Sequence, residues 1–452
     1  MRIHKIIIAL LFLLSSTAQA DVYEKTLDNG LKVIVKEDHR APTVVQQVWY
    51  HAGSMDEKTG TTGVAHMLEH MMFKGTKAVP VGEFSKQIAA AGGRENAFTS
   101  YDHTAYFQQL HKSKLPLAMQ LESDRMHNLL MAEKEYAKEL KVVMEERRWR
   151  TDDDPHALVF ERLMATAYEE HPYHNPIIGW MGDLQNMTAT DALDWYKTWY
   201  APNNSTLVVA GDVKADEVFA LAQKHYGSIP TVKLPQRKAV SEPVQLGIKR
   251  ITVKAPAELP YLIMAWHAPT LRDAEKDWKP YALEVLSGVL DGNSSARLNK
   301  SLVREQQVAM EVGTGYESVA RGPSLFVLEG TPREGKTVGD VEAALREQLA
   351  LLVRDGVSEE ELRRVKAQVT AGEVYKRNSV FYQAMQIGQY ESAGLSYKAI
   401  PLILKKIQAV TAQQVQDVAR EIFNDDQLTV AVLDPQPLSN KPRHNPGAAH
   451  VH

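Results

Sequence analysis

Two rhythms of apolar and polar residues run along the chain. One is short and strand-like: Tyr23–Leu27 and Leu31–Glu37 flank Asp28-Asn29-Gly30, and that turn chemistry between two such runs predicts a β-hairpin. The other has helical spacing: Val64, Leu68, Met71 and Met72 fall on one side of a helix that Gly75 ends. Hairpin signals beside helical stretches predict an α+β fold.

The pattern then repeats. An early strand, Pro42 to Ala52 with Trp49 and His51, is echoed by Pro260 to Ala268 with Trp266 and His267. A helical stretch from Thr188 precedes the apolar run Thr206–Asp212, and one from Thr411 precedes Leu428–Asp434. Two echoes in the same order argue for two homologous domains, each a mostly antiparallel sheet packed with helices. The prolines at 230, 235 and 243 interrupt regular structure between them. The expected organisation is a first domain over residues 21–230, a linker over 231–246, a second domain over 247–436 and a flexible tail over 437–452.

The first twenty residues read as a cleaved export signal: Arg2 and Lys5, an apolar core Ile6–Leu14, and a small-x-small end at Ala18-Gln19-Ala20. No later stretch reaches the roughly 20 apolar residues of a membrane span. Removing 20 of 452 residues leaves 432, which suits two domains better than one core. It also removes two of 52 basic residues, leaving 50 against 56 acidic ones, a net charge of −6 that suggests neither nucleic acid nor a lipid surface. The chain has no cysteine, which excludes disulfides, thiolate zinc sites, cysteine nucleophiles and a lipoprotein anchor. An exported, cysteine-free chain fits a Gram-negative periplasm. The tail ends His450-Val451-His452, a spacing that defines no closed metal site, although a zinc-scavenging role for it is a further reading.

Candidate chemistry lies in the first helical stretch. His66 and His70 are one turn apart and leave the same helix face, where one zinc ion can take both nitrogens. Glu69 stands beside them, placed to accept a proton from an activated water. Two histidines at this spacing alone would fit an ordinary surface helix, but His-x-x-Glu-His is the inverted zinc-peptidase signature. A catalytic zinc needs a third protein ligand. Glu133–Arg147 is a charged helical run in which Glu139 and Glu146 share a face, a pattern that by itself reads as a solvated helix.

Taken together, His66–His70, the 75 residues that separate it from Glu146, and Glu139 one heptad earlier resemble the pitrilysin/insulinase family, in particular its short-chain branch. Gly53-Ser54 with Glu57, Phe73-Lys74-Gly75-Thr76, Gly92-Gly93 with Asn96-Ala97, and Tyr200-Ala201-Pro202-Asn203-Asn204 add to the likeness, which covers nearly the whole mature chain. The resemblance implies that His66, His70 and Glu146 bind Zn2+, that Glu69 is the general base, and that Glu139 orients a ligand from outside. Glu145 is the rival third ligand. One residue of slip turns a helical side chain by about 100°, so only one of the two faces the metal, and the family pattern points to Glu146. Asn96 and Ala97 would lie on an edge strand that pairs with the substrate backbone.

The resemblance also implies half of a clamshell that encloses its peptide substrate. The family's second half carries an arginine and a tyrosine that stabilise the reacting centre. Arg304 is present here, but the tyrosine position falls on Glu311, or on Met310 with one gap; Tyr316 is nearby. The expectation is a periplasmic zinc endopeptidase acting on peptides or unfolded polypeptides as the metal-bearing subunit of a heterodimer, whose paralogous partner supplies the arginine–tyrosine pair; a homodimer is the variant of this idea. The alternative is a non-catalytic scaffold subunit.

Overall fold

The computed structural model describes residues 22–438, so the expected export signal over residues 1–20 and all but the first two residues of the expected tail over 437–452 lie outside the described residues. Six strands form the first sheet: β1 (Val22–Thr26), β2 (Lys32–Glu37), β3 (Thr43–Tyr50), β4 (Arg94–Thr99), β5 (Thr104–His111) and β6 (Ser205–Gly211), in the order β1-β2-β6-β3-β5-β4. β1 and β2 are the antiparallel hairpin predicted around Asn29-Gly30. Five strands form the second: β7 (Lys249–Pro256), β8 (Tyr261–Ala268), β9 (Ala309–Tyr316), β10 (Ser324–Pro332) and β11 (Leu428–Gln436), in the order β7-β11-β8-β10-β9. The second order maps onto β2-β6-β3-β5-β4 strand for strand. The β2–β6 and β7–β11 pairs are parallel and every other pair is antiparallel. The α+β class and the duplication read from the two echoes are therefore present as repeated topology. Residues 230–248 form neither helix nor strand.

Alternation along the strands divides the core. In the first sheet Val33, Val35, Val44 and Val48 face one way, against helices of their own half that include Val64–Met71, Leu115–Asn128 and Ala189–Trp199. Ile34, Val45, Trp49, Val208 and Ala210 face the other way, and there they meet Ala384 and Ile387 of the helix Val380–Ser392, which belongs to the second half. The second sheet mirrors this. Met264, Trp266, Phe326 and Val430 pack on their own helices, while Ile263, Ala265, Ala431 and Leu433 meet Val159, Leu163 and Ala167 of the helix Pro155–Ala167 from the first half. Each half thus lends the other one helix.

The loan is fixed at both ends: Lys32 donates to Glu391 at the far end at 2.8 Å, and two bonds hold the start. The Gln383 amide donates to Asp38 at 3.0 Å and the Arg40 guanidinium to the Asn378 side chain at 3.1 Å. In the middle, Gly388 rides directly on the Trp49 indole, and any Cβ there would overlap the ring. No helix among the described residues is long and apolar enough to cross a membrane.

Glycine at 388 is a packing requirement, so Gly388→Ala should destabilise the protein by about 1–3 kcal/mol through overpacking. At an exposed helical position the same change would stabilise by up to about 1 kcal/mol. Urea unfolding of the two proteins gives the sign, and a stabilised variant would show that the lent helix does not sit on Trp49.

Candidate metal centre

The histidine helix, Val64–Met71, buries Val64, Ala65, Met67, Leu68 and Met71 in the first core. Its start is held by Glu57, whose carboxylate accepts the backbone N–H groups of Gly63 and Ala65, each at 2.8 Å. A carboxylate there satisfies free N-terminal amides and complements the helix dipole. Gly63 has φ +88°, and a Cβ on it would stand 2.5 Å from the Ile178 carbonyl oxygen, so only glycine fits at this entry. His66 and His70 leave the face of this helix turned away from the apolar core, both largely buried, their ring centroids 4.8 Å apart.

The facing helix, Glu133–Arg147, buries Tyr136, Glu139, Val143 and Arg147 along one stripe. Arg147 sets its rotation. The guanidinium donates to Glu161 at 2.8 and 3.1 Å, with both side chains at 5% exposure or less, and lies over the Trp180 ring. Breaking one partner of such a buried pair typically costs about 3–5 kcal/mol, so the rotation is tightly held. It turns Glu146 inward, with its side chain at 15% exposure, and Glu145 outward at 54%, paired with Arg148.

Three side chains converge. Glu146 Oε2 lies 3.3 Å from His70 Nε2 and 3.9 Å from His66 Nε2, and the three donors all fall within 4.8 Å of one another. Zinc bound at about 2.1 Å in tetrahedral geometry needs donors roughly 3.4 Å apart, and the two separations from Glu146 fall near that value. Outer groups orient the donors. Glu139 Oε2 lies 3.3 Å from His70 Nδ1, which directs Nε2 inward, and its other oxygen takes the Lys74 ammonium at 2.7 Å. Arg150 holds Glu146 Oε1 at 2.8 Å, leaving Oε2 to the histidines.

Burial and neighbouring charge shape the ionisation. Burial, helped by His70, lowers His66 to about 3, keeping it in the neutral form a metal needs. Burial opposes charge on His70 too, but hydrogen bonds to Glu139 and Glu146 outweigh it and lift the ring to about 9. Burial likewise disfavours charge on Glu146, yet His70, His66 and Arg150 bring it to about 2. A cation among these donors meets the charge the carboxylates call for. Glu69 is raised, chiefly by burial, with Thr99 opposing.

Glu69 joins this cluster to a strand edge. Its carboxylate accepts the Thr99 hydroxyl of β4 at 2.5 Å. β4 is the last strand of its sheet, paired only with β5. Ser100 N donates to His103 O at 2.8 Å, which makes 100 and 103 a hydrogen-bonded pair. Pairs alternate along the ladder, so Glu95, Ala97 and Thr99 direct their main-chain groups to the open edge. The Ala97 N–H is met there only by the Asn96 side chain, at 2.8 Å.

Sequence reasoning missed Thr99 and Arg150, and gave Lys74, quoted for the family likeness, no role at the centre. Lys74 at i+4 from His70 and Arg150 at i+4 from Glu146 carried a helical-spacing signal; Thr99 carried none. Arg304 is exposed and makes no ion pair among the described residues. Met310 is half exposed, Glu311 accepts from Thr331 at 3.1 Å, and the Tyr316 hydroxyl donates to the Pro269 carbonyl. None of these four is bonded to the three-donor cluster.

A two-sheet α+β body carrying His-x-x-Glu-His opposite a glutamate helix defines a metallopeptidase-type half, and comparison with known proteins agrees. Residues 32–180 match the family described as Insulinase (Peptidase family M16), and residues 186–369 match that described as Peptidase M16 inactive domain. The zinc protease PqqE of Helicobacter pylori is 33% identical over 91% of this chain and 92% of its own length. An uncharacterized zinc protease of Mycobacterium leprae is 30% identical over 92% of each. The chain belongs to the M16 family. Among solved structures, a protease from Helicobacter pylori superposes with a TM-score of 0.88 at 29% identity, covering 92% of this chain and all of that one (100%). The periplasmic protease PqqL of Escherichia coli shares the fold with a TM-score of 0.76 at 20% identity, and this chain covers 49% of it.

The inward and outward glutamates make a clean test. Glu146→Gln, His66→Ala and His70→Ala should each remove bound zinc, whereas Glu145→Gln should retain one zinc per chain. Metal analysis of the purified variants decides this; equal zinc loss in the two glutamine variants would undo the assignment.

Proposed function

We propose that this chain is the metal-bearing subunit of a periplasmic zinc endopeptidase that takes extended segments of peptides or unfolded polypeptides within an enclosed chamber. The observation that carries this reading is the position of Glu69. It stands between the two histidines in sequence and is hydrogen-bonded to the open edge strand in space. His66, His70 and Glu146 hold the ion, which when bound polarises the scissile carbonyl and acidifies a water. A peptide adds to the free edge of β4 through main-chain hydrogen bonds near Ala97, with Asn96 giving way. Glu69 takes the proton of the attacking water and returns it to the leaving amine; burial raises its pKa, which makes it the stronger base for that exchange. Glu139 and Lys74 hold the His70 ring in orientation throughout.

Glu69→Gln should keep zinc and the fold but lose turnover by about 10²- to 10⁴-fold, because an amide cannot accept the proton. Peptide hydrolysis within a few-fold of wild type would remove Glu69 from the mechanism. The non-catalytic scaffold alternative expects no zinc-dependent turnover from the wild type in any assembly.

The second half of this chain supports a division of labour. Arg304 is exposed, the Tyr316 hydroxyl is already committed to a carbonyl, and Glu311 or Met310 stands where the family places a tyrosine. A paralogous subunit bearing the arginine–tyrosine pair would complete the site. The isolated chain should bind zinc but turn over slowly, and adding such a paralogue should raise the rate by about 10²–10³-fold, the usual worth of an oxyanion donor. Full activity from this chain alone would favour a homodimer instead.

A further inference from the structure

The hairpin loop between β4 and β5, residues 100–103, meets the corresponding loop of the other half, residues 317–323 between β9 and β10. Two side chains do the joining: the Tyr173 hydroxyl donates to Asp102 and accepts the Gly322 N–H at 2.9 Å, and Arg321 reaches further. The Arg321 guanidinium donates to both carboxylate oxygens of Asp56, at 2.8 and 3.1 Å, and to the Asp102 carbonyl at 3.0 Å. Its backbone N–H donates to the Asp102 carboxylate at 2.8 Å. All three residues are well shielded: side-chain exposure is 15% for Arg321 and 5% for Asp56, and Asp102 is 8% exposed. Arg237, from the segment between the halves, holds Asp56 from another side at 2.6 Å.

The two residues that Arg321 grips are not random points on the first half. Asp56 immediately precedes Glu57, the carboxylate that caps the histidine helix. Asp102 lies three residues beyond Thr99, the group bonded to Glu69. One guanidinium from the second half therefore bonds both the residue beside the helix-capping Glu57 and the loop that follows the edge strand, adding to the backbone bonds from Ser54 N–H to Ser100 at 3.1 Å and from Met55 N–H to Tyr101 at 2.9 Å.

Building on the peptidase reading above, we infer that Arg321 is a positioning residue: it tightens, from outside, the spacing between the helix that carries Glu69 and the strand that would receive the peptide, making the second half a working part of the first half's site. Lysine keeps the charge but cannot reach two carboxylate oxygens and a carbonyl from one planar group. Small errors in such spacing are costly, since about 1 Å of misplacement can reduce turnover by roughly 10²-fold.

The test compares Arg321→Gln, Arg321→Lys and Tyr168→Phe in the full mature chain, in the assembly that gives the wild type its best activity. Tyr168 donates to the Pro323 carbonyl in the same loop but touches neither Asp56 nor Asp102, so it reports on loop docking alone. Hydrogen exchange is followed over residues 57–70 and 95–103, with zinc content, kcat and KM. Arg321→Gln should loosen both segments together and lower kcat by about 10- to 100-fold with zinc retained. Arg321→Lys should recover part of both effects, and Tyr168→Phe should lower the melting temperature only. Unchanged exchange in either segment, equal loosening by Tyr168→Phe, or coupled loosening with wild-type kcat would each overturn the inference. A wild type inactive in every assembly would defeat the peptidase reading instead, and the exchange data would still decide whether Arg321 couples the two segments.

Discussion

A sheet with apolar residues on both faces must be covered twice, and the helices of each half close only one face of their own sheet. The second cover comes from the other half: Val380–Ser392 lies on the first sheet and Pro155–Ala167 on the second. Hydrophobic burial on this scale is worth far more than any polar contact in the molecule. It fixes how the halves face each other, and so brings the two equivalent hairpin loops together. Arg321 can reach Asp56 and Asp102 only because that larger constraint has already been met.

Within the first half, the centre depends on two helices whose rotations are set away from the donors. Glu57 and the left-handed Gly63 fix the start of one, and the buried Arg147–Glu161 pair fixes the other. The three clustered side chains themselves then need little internal force. Lys74 and Arg150 engage the outer oxygens of Glu139 and Glu146, so the inner donor atoms point at one another despite their mutual cost of burial. This is the economy expected of a preorganised site, in which orientation is supplied by the surrounding groups.

Much of this was legible in the chain. His66 and His70 share a face because helical periodicity demands it, and Glu139 and Glu146 do so for the same reason. The echoes at Trp49 and Trp266, and at Thr188 and Thr411, reported the repeated topology because strand and helix signals are local. The choice of Glu146 over Glu145 rested on family likeness. Its physical cause, Arg147 finding Glu161 across a turn, is invisible to periodicity. The apolar run of β6, Ser205–Gly211, announces burial on both faces but cannot say that the second cover is drawn from residues 380–392. Thr99, Arg237 and Arg321 escaped notice because each acts through a tertiary contact, with nothing unusual in its own neighbourhood.

The Asn96 side chain resting on the Ala97 N–H bears on a different problem, that of remaining dispersed. An unpaired sheet edge is a template on which other chains can stack, and proteins usually blunt it with charge, a bulge or a cover. Here the shield is a single side-chain amide whose oxygen accepts the N–H of its own neighbour. Edge-to-edge association between copies would have to displace this shield on each. Yet the shield is weak enough to be exchanged for a better partner, which allows an open edge to persist without becoming an aggregation site.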